Sequence, residues 1–389
     1  MKSTKIKFCN FELENPFCLG SSSVSMDYEK CKTALSLGWA GIFSKTITLF
    51  DNHDPSPRYD AWSLPWEGFR NIETMSDMSA KTNFDWLKKI KKEFPTKFIC
   101  ASIMGKNATE WAKLAKMAEQ SGIDAIEINM SCPHTPFKNT GHYLVDPKIM
   151  FESLDVIKKI TKLPIIVKPS IDGNMKLLVE HCIVKNIKSF TLINTIKGIT
   201  GINLNTFVPS PNIDGKSCIG GVSGKIIKPF GLRYVHEIYS MSNFKKNKCE
   251  ISGVGGIYSA VDALEYISCG SKCCQIVTAV MEYGVGIIKK LLFDLQNWLD
   301  QHNMNLSDVV GQTSKNIVKP ENLDRLKKIK LKFVYDKCVK CYRCMASCKS
   351  AEKNAIFLNK NGFPTFNKQK CIACGLCSFV CKNHCIKKW

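Results

Sequence analysis

What the 389-residue chain lacks narrows its class before any motif is considered. No apolar run approaches the roughly 18 residues needed to cross a bilayer, and the opening MKSTKIKFCNFELENPF has no apolar signal-peptide core. A soluble, cytoplasmic protein without a membrane partner is therefore expected. No GxGxxG turn follows any strand-like run, so neither NAD nor FAD finds a dinucleotide fold here. Acidic residues are scarce: 34 Asp and Glu stand against 55 Lys and Arg, a net charge of +21. The lysines are scattered, with no arginine cluster and no series of base-stacking aromatics, so a nucleic-acid partner is not expected. With 44% hydrophobic and 23% charged residues, wholesale disorder and collagen-like architectures are excluded.

Cysteine, by contrast, is abundant, at 20 residues. In a reducing compartment so many thiols have little use unless they bind something. Eleven lie singly or in pairs across the first 337 residues, whereas nine fall between Cys338 and Cys385. Cys338, Cys341, Cys344 and Cys348 have the spacing C-x2-C-x2-C-x3-C, and Cys371, Cys374, Cys377 and Cys381 repeat it 33 residues later. In two-cluster ferredoxins three closely spaced thiolates hold one face of a cubane and the fourth reaches across to the other cluster. The spacing thus predicts one [4Fe-4S] cluster on Cys338, Cys341, Cys344 and Cys381, and a second on Cys371, Cys374, Cys377 and Cys348. Structural zinc takes four ligands and has no use for the triple spacing, and disulfides do not suit a cytosolic chain. Lys349 and Lys382 stand where proline commonly follows the fourth cysteine, a departure that alters cluster surroundings rather than cluster presence.

From residue 16 to about 303 short apolar runs alternate with helical patterns eight times. The strand candidates are 16–20, 41–46, 98–104, 125–131, 164–170, 190–195, 250–256 and 274–280, β-branched and bounded by Gly, Pro or Ser as doubly buried strands are. Stretches such as TEWAKLAKMAEQSG (109–122) place apolar residues three and four apart, as amphipathic helices do. Eight such units predict an α/β protein with a (β/α)8 TIM barrel over residues 1–304. A doubly wound sheet is the alternative, but it wants a glycine fingerprint that Leu19-Gly20-Ser21 does not supply. The segment 6–17 reads as a hairpin covering the barrel bottom. Residues 305–335 read as a linker or strap, and 336–389 as a ferredoxin-like domain.

Barrel chemistry sits at the C-terminal strand ends, which here carry Lys45, Thr46, Asn129, Cys132, His134, Lys168, Asn194 and Thr195. GVGG (253–256), opening onto a helix, offers bare backbone amides for a phosphate, although alone it is only a turn. A buried lysine such as Lys45 is costly without an anionic partner. Cys132 in isolation reads as a small buried hydrophobe.

The segments NPFCLGSSSVS, SPRYD, GFRNIE, ASIMG, NMSCPH, INTIKGITG, GGVSGKIIKPFGLR and GVGGI, joined to the double cysteine motif, resemble one family over nearly the whole chain. It is that of the catalytic subunits of bacterial NAD-dependent dihydropyrimidine dehydrogenases, with a barrel similar to dihydroorotate dehydrogenases. The resemblance implies an FMN in the barrel mouth and reduction of the C5=C6 bond of uracil or thymine. It implies Cys132 as general acid, with Asn71, Asn129, Asn194, Thr195 and His134 around the substrate. Gly20, Ser21, Lys45, Thr46, Lys168, Gly221, Ser223, Gly255, Gly256, Thr278 and Ala279 would hold the flavin. It also implies electrons from a partner, either an FAD- and NADH-binding subunit or a ferredoxin, in a homodimer or heterotetramer. The loop 135–145 is short and carries Phe137 and Tyr143 in place of a glycine-rich lid, which leaves another cyclic imide open as substrate. Dihydroorotate oxidation, and electron transfer through a degenerate barrel, are the competing readings.

Overall fold

The computed structural model describes residues 1–50, 52–62, 68–130, 147–326 and 331–388. They form two compact units, Met1–Ile317 and Val318–Trp389.

In the first unit, β1 (Ile6–Phe8) and β2 (Phe11–Leu13) make an antiparallel hairpin. Phe8 and Phe11 both pack edge-on against Phe98, the first residue of a barrel strand, so the hairpin closes the N-terminal end of the barrel as the sequence suggests. The barrel itself opens with β3 (Phe17–Leu19) and β4 (Gly41–Phe43). The chain then leaves it for β5 (Tyr59–Trp62) and β6 (Gly68–Asn71). It returns through β7 (Phe98–Ile103), β8 (Ala125–Asn129), β9 (Ile165–Lys168) and β10 (Ser189–Leu192). A second excursion comprises β11 (Ile196–Gly198), β12 (Thr200–Asn203), β13 (Val208–Ser210) and β14 (Gly220–Ser223). β15 (Glu250–Val254) and β16 (Cys273–Ile276) complete a closed, all-parallel eight-stranded barrel in the order β10-β15-β16-β3-β4-β7-β8-β9. This is the TIM-barrel class that the alternation predicts.

The strands are short because both faces are buried: every residue of β7 and β8 is inside. The intervening helices bury a single stripe. In Ala108–Gln120 it is Trp111, Leu114, Ala115 and Ala118, at helical spacing, with Asn107 accepting from the Glu110 amide at the N-terminus. The two excursions meet in a four-stranded antiparallel sheet, β11-β14-β6-β5, in which Asn71 pairs with Gly221 and Tyr59 with Asn71. Residues 305–317 pack on the barrel: Leu306 and Val309 are buried, the Gly311 amide donates to Ile267 and Ser314 Oγ donates to Cys269 O. The expected strap thus yields its first part to the barrel unit, because two apolar side chains of a short helix have a core to enter.

In the second unit, β17 (Leu331–Phe333) pairs with β20 (Ile386–Lys388) and β18 (Ile356–Leu358) with β19 (Pro364–Phe366). Short helices Arg343–Ser350 and Leu376–Phe379 start within the two cysteine motifs. Among the described residues its core cluster is small, Cys344, Ile356, Cys377 and Ile386 with a few partly buried side chains such as Phe333 and Phe366 against it. So small an apolar core is characteristic of units that rely on bound metal for stability.

Candidate active site

The C-terminal ends of the barrel strands and the excursion sheet enclose a cavity of about 160 Å³. Its wall includes Ser21, Lys45, Thr46, Asn71, Asn129, Lys168, Asn194, Thr195, Gly221, Ser223, Gly255, Gly256, Thr278 and Ala279. Gly20 is not on the wall. It sits behind it, where a Cβ would lie 3.2 Å from Gln275 Cβ and closer still to Val277. Cys132, His134 and the loop 135–145 lie outside the described residues.

Local rules explain how these side chains converge. In the parallel register of β8 and β9, Asn129 pairs with Lys168, so both strands end at one level of the mouth. Asn129 Nδ2 donates to Thr46 Oγ1 at 2.9 Å, Thr46 Oγ1 lies 3.1 Å from Ser102 Oγ, and Asn194 Nδ2 reaches Asn129 Oδ1 at 3.4 Å. Asn71 Nδ2 donates to Gly221 O at 3.1 Å across the excursion sheet. These bonds fix the carboxamides' orientation, and a side-chain amide can both donate and accept.

Charge is distributed unevenly around the mouth. Lys45, 4% exposed, is bonded through Nζ to Glu73 Oε1 at 2.6 Å, and Arg58 Nε lies 3.7 Å from the same oxygen. Glu73 Oε2 is buried and unpartnered among the described residues. Sequence reasoning missed Glu73, although GFRNIE contains it. Its signal is the period of an extended chain, which puts residues 71 and 73 on one side. Lys168, 6% exposed, has no ion-pair or hydrogen-bond partner for its ammonium among the described residues. A buried cation without an anion is strongly destabilising, so this position suits a bound group able to hold negative charge. Gln275, a residue of the cavity wall, turns Nε2 toward Glu127, Thr191 and Ser252 deep in the barrel, and its buried Oε1 has no donor among the described residues.

At the end of β15, Gly255 and Gly256 have φ of +123° and +68°. A Cβ on Gly256 would stand 2.8 Å from Gly224 O and 2.9 Å from Lys228 Cβ, so a side chain is excluded by conformation and by space alike. The helix Ala260–Cys269 that follows is closed by a capping box between Ser259 and Asp262. Burial pushes the Asp262 carboxyl up. Hydrogen bonds from Lys228 Nζ (2.5 Å), Ser259 and the Tyr258 amide outweigh this and hold it below the ordinary carboxylate range. Thr278, whose Oγ1 donates to Ser223 Oγ at 3.3 Å, begins the helix after β16. A glycine cradle, an unpaired buried ammonium and an orphaned acceptor together fit a phosphate-bearing ring compound that is electron-rich when reduced.

In the second unit, Cys338, Cys341, Cys344 and Cys381 line one small cavity and Cys348, Cys371, Cys374 and Cys377 another. These are the two sets given by the crossed spacing rule. The loops repeat in conformation as in sequence: Lys340 and Tyr342 have positive φ, as do Ala373 and Gly375 at equivalent positions 33 residues on. The amides of Ala355, Ala373 and Cys385 point at the sulfurs of Cys348, Cys371 and Cys381 at 3.2–3.4 Å, as donors to thiolates would. Burial pushes the Cys344 thiol up and that of Cys377 to about 11, so metal loading must displace protons there. Cys385, outside both motifs, lines the first cavity as well.

Fold and site thus define a barrel oxidoreductase of the flavin-dependent kind carrying its own iron–sulfur unit. Residues 3–299 match the dihydroorotate dehydrogenase family and residues 330–382 the 4Fe-4S dicluster domain, and the chain belongs to the dihydroorotate dehydrogenase family. It is 35% identical to the NAD-dependent dihydropyrimidine dehydrogenase subunit PreA of Escherichia coli K12, over 99% of this chain and 95% of that protein. It is 32% identical to the chloroplastic dihydropyrimidine dehydrogenase (NADP(+)) of Arabidopsis thaliana, over 76% of this chain and 72% of that protein. With the catalytic subunit of dihydroorotate dehydrogenase B (NAD(+)) of Thermoplasma volcanium it shares 30% identity, over 80% of this chain and 98% of that protein. No helix of the described residues is long and apolar enough to cross a membrane.

Proposed function

We propose that the chain is a dihydropyrimidine dehydrogenase catalytic subunit that interconverts uracil or thymine and the 5,6-dihydropyrimidine. It holds FMN in the barrel mouth and two [4Fe-4S] clusters in the cysteine unit. Electrons come from a partner, an FAD- and NADH-binding subunit or a ferredoxin, within a homodimer or heterotetramer. The observation that carries the reading is the ring of Asn71, Asn129, Asn194 and Thr195 on the wall that also holds the unpaired Lys168. Side-chain amides both donate and accept, which suits the alternating N–H and C=O edge of a neutral imide.

When bound, FMN supplies the hydride that C6 receives. Lys168 stabilises negative charge next to the ring, and Lys45, tied to Glu73, adds a second cation at the same mouth. Glu73 Oε2, unpartnered among the described residues, is an acceptor for a ring N–H. Cys132, three residues beyond Asn129, holds the proton that C5 receives, so hydride and proton together saturate the double bond. His134 stands close in sequence and contributes to substrate binding.

Dihydroorotate oxidation is the second reading, supported by the Thermoplasma relative. That protein is matched almost end to end by 80% of this chain, whereas the match to the E. coli subunit takes in 99% of this chain, cysteine unit included. This length favours the dihydropyrimidine reading. The test is single-turnover reoxidation of photoreduced, anaerobic holoenzyme. Uracil is expected to reoxidise the flavin and yield dihydrouracil; reoxidation by orotate but not by uracil would overturn the proposal.

A further inference from the structure

Between Leu331 and Lys388 twelve Lys and Arg residues face only two acids, Asp336 and Glu352. All twelve basic side chains are exposed, and none is in an ion pair among the described residues, although the first unit contains many such pairs. The clusters on their thiolates are net negative and offset part of this charge, but the excess that remains on so small a unit works against its compactness unless something neutralises it.

The internal repeat shows where this charge concentrates. Each ligand of the first cluster set has a cation beside it in sequence: Lys337 before Cys338, Lys340 before Cys341, Arg343 before Cys344 and Lys382 after Cys381. The equivalents around the second set are Lys370, Ala373, Leu376 and Lys349, so two of the four cations are lost. Leu376, 38% exposed, stands where the first set has Arg343, and Phe379 nearby is 84% exposed. Local bonds hold three of these cations at the first set, and Arg343 lines the same cavity as its cysteines. Asn383 Nδ2 donates to Lys337 O at 3.0 Å, which brings Lys337 alongside Lys382, and Lys340 Nζ is held over the Phe363 ring while donating to Asn361 O. Cys341 is itself exposed within this rim.

We infer that the cluster held by Cys338, Cys341, Cys344 and Cys381 is the port at which electrons enter, and that its cationic rim docks an electron-carrying protein whose redox centre is ringed by carboxylates. This rests on the reading above, in which electrons reach the barrel through the clusters. Complementary charge of this kind acts chiefly on the encounter rate and is screened by salt.

The experiment follows cluster reduction in anaerobic holoenzyme by stopped flow, with a reduced acidic ferredoxin or with reduced methyl viologen, which is cationic and small. Between about 20 mM and about 0.5 M NaCl the ferredoxin rate constant is expected to fall at least ~10-fold, and the viologen rate not to fall. K337E/K382E is expected to lower the low-salt ferredoxin rate by about tenfold or more and to flatten its salt dependence. K337R/K382R should retain the wild-type rate, and K349E/K370E, at the other cluster, should change it less than about twofold. A ferredoxin rate indifferent to salt in the wild type, or an equal loss in K349E/K370E, would overturn the inference. So would tight, salt-sensitive binding of an oligonucleotide in place of any ferredoxin effect, which would assign the face to nucleic acid. If viologen reduces no cluster at all, the function proposed above fails first and the port with it. If viologen drives uracil reduction while the ferredoxin results are negative, only the port fails.

Discussion

At the scale of single residues, Lys168 separates a structural from a functional role. Its buried ammonium has no partner among the described residues, so Lys168→Met should leave the flavin-free protein as stable as wild type or more so. The same change should weaken flavin binding by about tenfold or more, since one charge-assisted contact is lost. Thermal midpoints of the apo forms and flavin titration check both halves, and a destabilised apo variant would show that Lys168 has a structural partner. Cys132→Ala should lower turnover by about 10²- to 10⁴-fold, the usual contribution of a general acid, with flavin content and cluster spectrum unchanged. Reoxidation of the photoreduced variant by uracil at the wild-type rate would remove the proton from Cys132 and make His134 or Tyr143 the next candidate.

At the scale of elements, the turn after β15 depends on the helix behind it. Asp262 accepts from the Ser259 hydroxyl and amide and from Lys228, which locks the loop that presents Gly255 and Gly256. Asp262→Asn should cost about 1 kcal/mol through the weakened cap and loosen flavin retention, read from denaturation midpoints and flavin off-rates. Because the folded carboxyl sits below its ordinary range, its contribution is complete above the ordinary value of about 4 and is lost as pH falls through the lowered one. The wild-type advantage over Asp262→Asn should therefore persist at neutral pH and vanish only in acid. The barrel strands were legible from sequence because doubly buried strands are short apolar runs between Gly, Pro and Ser. The excursion sheet was not. β6 and β14 lie about 150 residues apart, and Gly68–Asn71 has no apolar alternation to mark it as a strand. A shorter separation hid Glu73, which becomes a site residue only when Lys45, 28 residues earlier, meets it in space. The cysteine unit was the opposite case, since the two groups of cysteines that share a cavity follow from local spacing and needed no knowledge of packing.

At the scale of the whole molecule, the chain is expected not to use a nicotinamide by itself. Holoenzyme should contain about eight irons and one FMN, as two cubanes and one flavin imply, and NADH alone should leave the flavin oxidised because the sequence has no GxGxxG turn after a strand-like run. Zinc in place of iron, or prompt bleaching by NADH without a partner, would contradict this. The central claim, that electrons passed through the clusters saturate a pyrimidine ring in the barrel, is tested most directly by one anaerobic assay. Reduced methyl viologen is oxidised by the holoenzyme in the presence of uracil, thymine, orotate or a hydantoin, and the products are identified. The expected result is uracil- or thymine-dependent oxidation with two viologen radicals consumed per dihydropyrimidine formed. Turnover of orotate with none of uracil or thymine would contradict it.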